Sequence, residues 1–273
     1  MRLGIFAKTF AGTQPLAVLG AARDAGYGAV QFNLACAGLP SLPADLPPDA
    51  VLDGIAAAAT ATGVELAALS GTYNMAHPDP AQRAAGLGGL GVVIAVAARL
   101  GIPLVTLCTG TRHATDQWAH HPANAEPAAW ADMAREMAAA LTLAEAAGVT
   151  LGIEPEQANI VTSAADARRL IGEMASPRLK IVLDPANLFE QATPDQARRI
   201  VAAAIDRSAG HIAMAHAKDR QADGRFATAG AGIVDFPAFV AGLRAAGFDG
   251  PLVTHGLEAA EAPGVARYLK ALL

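Results

Sequence analysis

Residues 149–187 read VTLGIEPEQANIVTSAADARRLIGEMASPRLKIVLDPAN, and this stretch decides the fold. It opens on a short apolar run that stops at Glu154 and Pro155. An alanine-rich stretch with helical spacing follows, and a second apolar run stops at Asp184 and Pro185. Runs this short and this apolar suit strands buried on both faces, and the intervening helix joins them as parallel neighbours. The same unit repeats in both directions. Strands are predicted at RLGIFA from Arg2, AVQFN from Ala29, ELAALS from Glu65, LVTLCT from Leu104, VTLGIE from Val149, LKIVLD from Leu179, HIAMAHA from His211 and PLVTH from Pro251. Eight strand-then-helix units with no break in composition argue for an α/β fold in which residues 1–273 form one domain. The predicted architecture is a closed (β/α)8 TIM barrel, not an open doubly wound sheet.

Local punctuation agrees. Gly63, Gly101, Gly148 and Gly247 stand where a left-handed residue closes a helix just before the next strand. Pro80, Pro194 and Asp195 stand where a fixed φ and a negative charge favour a helix start. Two proline-rich segments, LPSLPADLPPDA from Leu39 and WAHHPANAEPAAW from Trp118, fall between a strand and its helix. They are expected at the barrel mouth, either shaping the pocket or varying freely on the surface.

Bulk properties narrow the partners. Twenty Lys and Arg against 25 Asp and Glu give a formal charge of −5, so no broad basic surface is available for a nucleic-acid backbone. Cys36 and Cys108 are the only cysteines and both lie in or beside apolar runs, which excludes a disulfide framework or a thiolate metal site and suits a reduced cytoplasm. The opening MRLGIFAKTF lacks the features of a secretory signal. Apolar segments are broken by glycine, proline or charge before the roughly 20 residues a membrane helix needs, so a cytoplasmic protein without membrane partners is expected.

Polar and ionisable residues gather where the predicted strands end: Asn33; Tyr73, Asn74 and His77; Arg112 and His113; Glu154 and Glu156; Asp184 and Asn187; His216, Lys218 and Asp219; His255 and Glu258. In a closed barrel these ends share one rim and converge on its axis. Glu154, Asp184, His216 and His255 make an oxygen and nitrogen set suited to manganese, magnesium, cobalt or zinc; the bland alternative pairs each with a neighbouring cation. His77, Arg112 and His113 read either as groups that meet a substrate or as loop and rim contacts. Lys218 reads either as a catalytic cation or as the ion-pair partner of Asp219 or Glu156.

The segments LGIEPE, IVLDPANL, HAKDR, AGAGIVDF and FDGPLVTHG resemble the xylose isomerase-like barrel superfamily over essentially the whole chain. That group holds sugar isomerases, keto-sugar epimerases, inosose dehydratases and a family 2 AP endonuclease branch. In its epimerase branch a glutamate, an aspartate, a histidine and a second glutamate, from the fifth to eighth strands, hold the metal. The resemblance gives Glu154, Asp184 and His216 the first three places. The fourth departs from the pattern, because His255 aligns there and Glu258 lies three residues on, so the second glutamate of a two-glutamate epimerisation has no counterpart at the aligned position. Asn187 stands where many relatives carry histidine. Ile233, Val234 and Asp235 replace the endonuclease branch's metal motif, so abasic-site cleavage is not expected.

The resemblance implies a divalent-metal-dependent isomerase or epimerase of a small keto-sugar or polyol-derived carbonyl compound. Glu154, Lys218 and His255 are its candidate catalytic residues, with Asn74, His77, Arg112, His113, Glu156, Asn187 and Glu258 as candidate substrate contacts. A lyase or dehydratase of inosose type, a hydrolase, and an inactive binding barrel are the alternatives. Association of the chain with copies of itself is left open.

Overall fold

Each of the eight apolar runs folds as a strand in the computed structural model, which describes residues 1–273. These are β1 (Arg2–Phe6), β2 (Ala29–Phe32), β3 (Glu65–Ser70), β4 (Leu104–Leu107), β5 (Thr150–Ile153), β6 (Leu179–Leu183), β7 (Ile212–Ala217) and β8 (Pro251–Thr254). They pair in parallel in chain order, and β1 closes on β8 in the register Arg2↔Pro251 to Ile5↔Thr254. The result is a (β/α)8 TIM barrel. Outside the predicted pattern lie four short 3-10 turns and a short antiparallel hairpin pairing Asp219–Arg220 with Phe226–Ala227 beyond β7.

The outer ring consists of α1 (Pro15–Asp24), α2 (Asp49–Thr62), α3 (Pro80–Leu100), α4 (Pro127–Ala147), α5 (Ala164–Met174), α6 (Pro194–Ser208), α7 (Phe236–Ala245) and α8 (Ala262–Lys270). Helices α2, α3 and α4 end at Gly63, Gly101 and Gly148 in the left-handed conformation, as their sequence predicts. Asp79 caps α3, and Thr193 and Gln196 form a reciprocal cap on α6.

Helix α3 corrects one expectation. It is 21 residues long and, by length and composition, apolar enough to cross a membrane, despite Arg83, Arg99 and its glycines. In the barrel it is an outer helix whose Leu90, Val93, Ile94, Val96 and Ala97 are buried in the main core.

That core lies between sheet and helices. A second, small cluster of Ala68, Leu104, Val182, Met214 and Val253 plugs the barrel itself. Gly152 belongs to the same layer, because a Cβ there would come within 2.8 Å of Val182 Cγ2 and 3.1 Å of Leu104 Cδ1. The plug sets a floor beneath whatever the strand ends carry.

Candidate metal centre

Strand residues two apart face the same way. Ser70, Thr106, Asp184, His216 and His255 each lie two positions beyond a residue of the apolar plug, and Glu154 lies two beyond Gly152. The pleat therefore aims all six inward, one step above the floor. Five of them open into a cavity of about 540 Å³ lined also by Gln31, Asn33, Ser41, Cys108, Glu156, Asn187, Lys218 and Phe226, while Asp184 is fully buried behind its wall. Gln117 and Trp118 bring the long loop after β4 to the same cavity, and Ser41 brings the loop after β2, so both proline-rich segments shape it.

One ligand atom each from Glu154, Asp184, His216 and His255 lies within 4.8 Å of the others, so the four form a group able to bind a metal ion. Glu154 Oε1 is 3.1 Å from His216 Nδ1, and Asp184 Oδ2 is 3.0 Å from His255 Nε2 and 3.9 Å from His216 Nδ1. The two imidazole rings stand 4.4 Å apart. His255 is thus the fourth member of this group; Glu258 is exposed, with its backbone N–H donating to Glu261.

Lys218 closes the other side. Its ammonium lies 3.3 Å from Asp184 Oδ2, donates to Asn187 Oδ1 at 2.7 Å and rests 4.0 Å above the Phe226 ring. Asn187 in turn donates to Glu154 Oε1 at 2.8 Å. Burial alone would raise the fully buried Asp184 carboxyl, but Lys218 and His255 outweigh it and hold it below the usual carboxylate range. Burial pushes His255 down, helped by the neighbouring His216. On His216 burial acts the same way, yet the Glu154 carboxylate prevails and the imidazole is raised. Burial and Glu154 push Glu156 up to about 7.

Gln31 escaped the sequence reading. It is buried, its amide nitrogen donates to Ser70 Oγ and Thr106 Oγ1 at 3.0 Å each, and its carbonyl oxygen lies 2.8 Å from His216 Nε2. An acceptor at Nε2 keeps a proton there, so in the neutral ring Nδ1 carries the lone pair turned towards Glu154 and Asp184. Gln31→Leu is expected to weaken divalent-metal binding by about 10–100-fold, as loss of a ligand's orienting partner typically does. Gln31→Glu, which can still accept from Nε2, should retain most of it. Calorimetric titration of manganese into demetallated protein checks this; unchanged affinity in Gln31→Leu would remove the orienting role.

Four other candidates do not reach this cavity. Asn74 accepts from the Ala76 and Thr111 backbone N–H groups. His77 accepts from the Asp79 N–H and bonds the Ala114 carbonyl, while His113 accepts from Asp116 N–H. Arg112 pairs with Asp132 at 2.6 Å and donates to the Ala76 carbonyl. Asn74, His77 and His113 line a neighbouring cavity of about 450 Å³. Asp219, weighed as a partner for Lys218, is fully buried and instead accepts from the backbone N–H groups of Arg220, Gly230, Gly232 and Val234 at 2.8–3.0 Å. It thereby anchors the AGAGIV loop, and Gly232 is required there because a Cβ would sit 2.3 Å from Asp219 Oδ1.

The family model described as xylose isomerase-like TIM barrel matches residues 19–272. No curated protein matches the sequence significantly. Among solved structures, the apo form of a 3-keto-D-glucoside 4-epimerase from E. coli superposes with a TM-score of 0.78 at 18% identity, covering 99% of each chain. An L-ribulose 3-epimerase gives 0.75 at 22% identity over 99% of this chain and 92% of that one. A D-psicose 3-epimerase from Clostridium cellulolyticum H10, solved with D-tagatose, gives 0.75 at 15% identity over 100% and 99%. At these identities the likeness is one of fold.

Proposed function

The chain belongs to the xylose isomerase-like TIM-barrel family, and on that premise we propose that it is a divalent-metal-dependent isomerase or epimerase of a small keto-sugar or polyol-derived carbonyl compound. The observation that carries the reading is the convergence of Glu154, Asp184, His216 and His255 at the cavity floor. Atoms each about 2.1 Å from one ion stand roughly 3.0–4.2 Å apart, so the four, already within 4.8 Å of one another, need only local side-chain adjustment to share an ion. Two carboxylates and two imidazoles suit manganese, cobalt or zinc better than magnesium, which prefers oxygen alone. A bound divalent ion would supply positive charge where adjacent carbonyl and hydroxyl oxygens become negative as a C–H proton leaves.

The chain's own groups divide the remaining work. Glu154 Oε1 is taken by Asn187 and faces His216, whereas Oε2 makes no hydrogen bond within the chain and is free to accept the carbon-bound proton. With His255 occupied at Asp184, Lys218 is the group placed to return a proton, its ammonium held in the cavity wall by Asp184 and Asn187. Glu156, Asn33 and Ser41 offer hydrogen bonds to substrate hydroxyls from the same wall.

His255 also favours a second reading. A carboxylate is lacking at the place where the family's epimerases carry their second base, and a dehydratase needs only one base and one acid. Glu154 would take the carbon-bound proton while Lys218 protonates the departing hydroxyl, which leaves as water. Incubation of the manganese-loaded protein with ketohexoses and inosose-like ketones in deuterated water tests both. Deuterium gained at carbon with no other change in composition supports the isomerase; loss of one water supports the dehydratase. No exchange across the panel would overturn the proposal.

A further inference from the structure

The cavity of about 450 Å³ that holds Asn74, His77 and His113 lies directly beside the metal cavity. Gln117 lines both, and two loops divide between them at consecutive residues: Ser41 and Thr72 face the metal side, Leu42 and Tyr73 the other. From this geometry we infer that the substrate is a two-part carbohydrate, with a keto-sugar ring over the metal cluster and a second glycosyl ring in the adjoining cavity. The inference rests on the function proposed above and adds the substrate class.

Size is the first argument. The metal cavity alone falls within the roughly 300–1,000 Å³ that a small ligand occupies, so a lone monosaccharide leaves the second space unused. The chemistry of the lining is the second. No lysine or arginine lines the second cavity and the Asp116 carboxylate does, which disfavours a phosphate, and its amides, imidazoles and hydroxyls disfavour a lipid. Gln82 and Gln117 make no side-chain hydrogen bond within the chain, and His113 bonds through Nδ1 alone, leaving Nε2 free. Such neutral donors and acceptors, in a lining that also holds Leu42, suit a sugar's hydroxyl edge and C–H face.

Rigidity is the third argument. His77 is fixed through both ring nitrogens, and beneath the cavity Arg83, Arg112, Asp132 and Glu136 form ion pairs to which the Tyr73 hydroxyl donates. The wall is therefore formed before any ligand arrives.

Calorimetric titration of the manganese-loaded protein compares D-fructose with turanose, maltulose and isomaltulose, each a fructose unit bearing a glucosyl ring. At least one disaccharide is expected to bind at least about tenfold more tightly than D-fructose. Ala85→Trp on the exposed side of α3, and independently Ala114→Trp on the loop after β4, should fill the second cavity. Each should remove that advantage while leaving D-fructose affinity unchanged. If no disaccharide outbinds D-fructose, or if the advantage survives both substitutions, the inference is overturned, while deuterium exchange on D-fructose would leave the proposed function standing. Failure of every ketose to bind would overturn both.

Discussion

Glu154→Gln is expected to lower kcat/KM for metal-dependent proton exchange by roughly 10²–10⁴-fold, the usual range for a positioned general base. The substitution keeps the side chain's shape, and the new amide oxygen can still accept from Asn187 Nδ2 in the place of Oε1. What changes is the second terminal atom. Oε2, which carries no hydrogen bond within the chain, becomes an NH2 group that cannot take a proton. Metal affinity should also fall, since an amide oxygen is a weaker ligand than a carboxylate. Exchange is therefore measured at saturating manganese, with bound metal determined separately on the same sample. Wild-type exchange in a metal-loaded Glu154→Gln protein would remove Glu154 from the chemistry.

Asp219→Ala should produce the largest loss of stability, about 3–5 kcal/mol, and lower Tm by on the order of 10 °C. Its carboxylate accepts four backbone N–H groups in a fully buried position, and none has another acceptor there if the side chain is cut back. Asp219→Asn keeps one acceptor oxygen and should fall between the two. Thermal unfolding of the three proteins checks the order. Melting of Asp219→Ala together with the wild type would show that the loop is held by something else.

The eight strands were legible because each is a short, mainly apolar run and most of them end on a polar residue, a pattern that survives without knowledge of loops. The residues of the metal cluster were legible for the same reason: Glu154, Asp184 and His255 each stand immediately after a strand, and His216 is the last but one residue of β7. Gln31, Ser70 and Thr106 were not singled out, although Gln31 and Thr106 are each the one polar residue of an apolar strand and Ser70 ends another, and the two-residue period aims Ser70 and Thr106 down the axis. Asn74, His77, Arg112 and His113 share the strand-end signal yet point elsewhere, because their direction is set by turns and by Asp132 on α4, which no strand periodicity encodes. The Lys218–Asp184 pair was hidden likewise. Sequence proximity suggested Asp219, but its carboxylate is committed to the loop of Gly230 and Gly232, while the lysine reaches Asp184.

Helix α3 has a bearing on biosynthesis. Its core-facing side is covered only when the barrel strands and the flanking α4 are in place, and α4 ends at Ala147. Until the ribosome has delivered the stretch from Gly101 to Ala147, an interval on the order of seconds, the nascent chain displays a segment as greasy as a bilayer span. Slowing translation within that stretch should therefore lengthen the period in which chaperones engage the polypeptide.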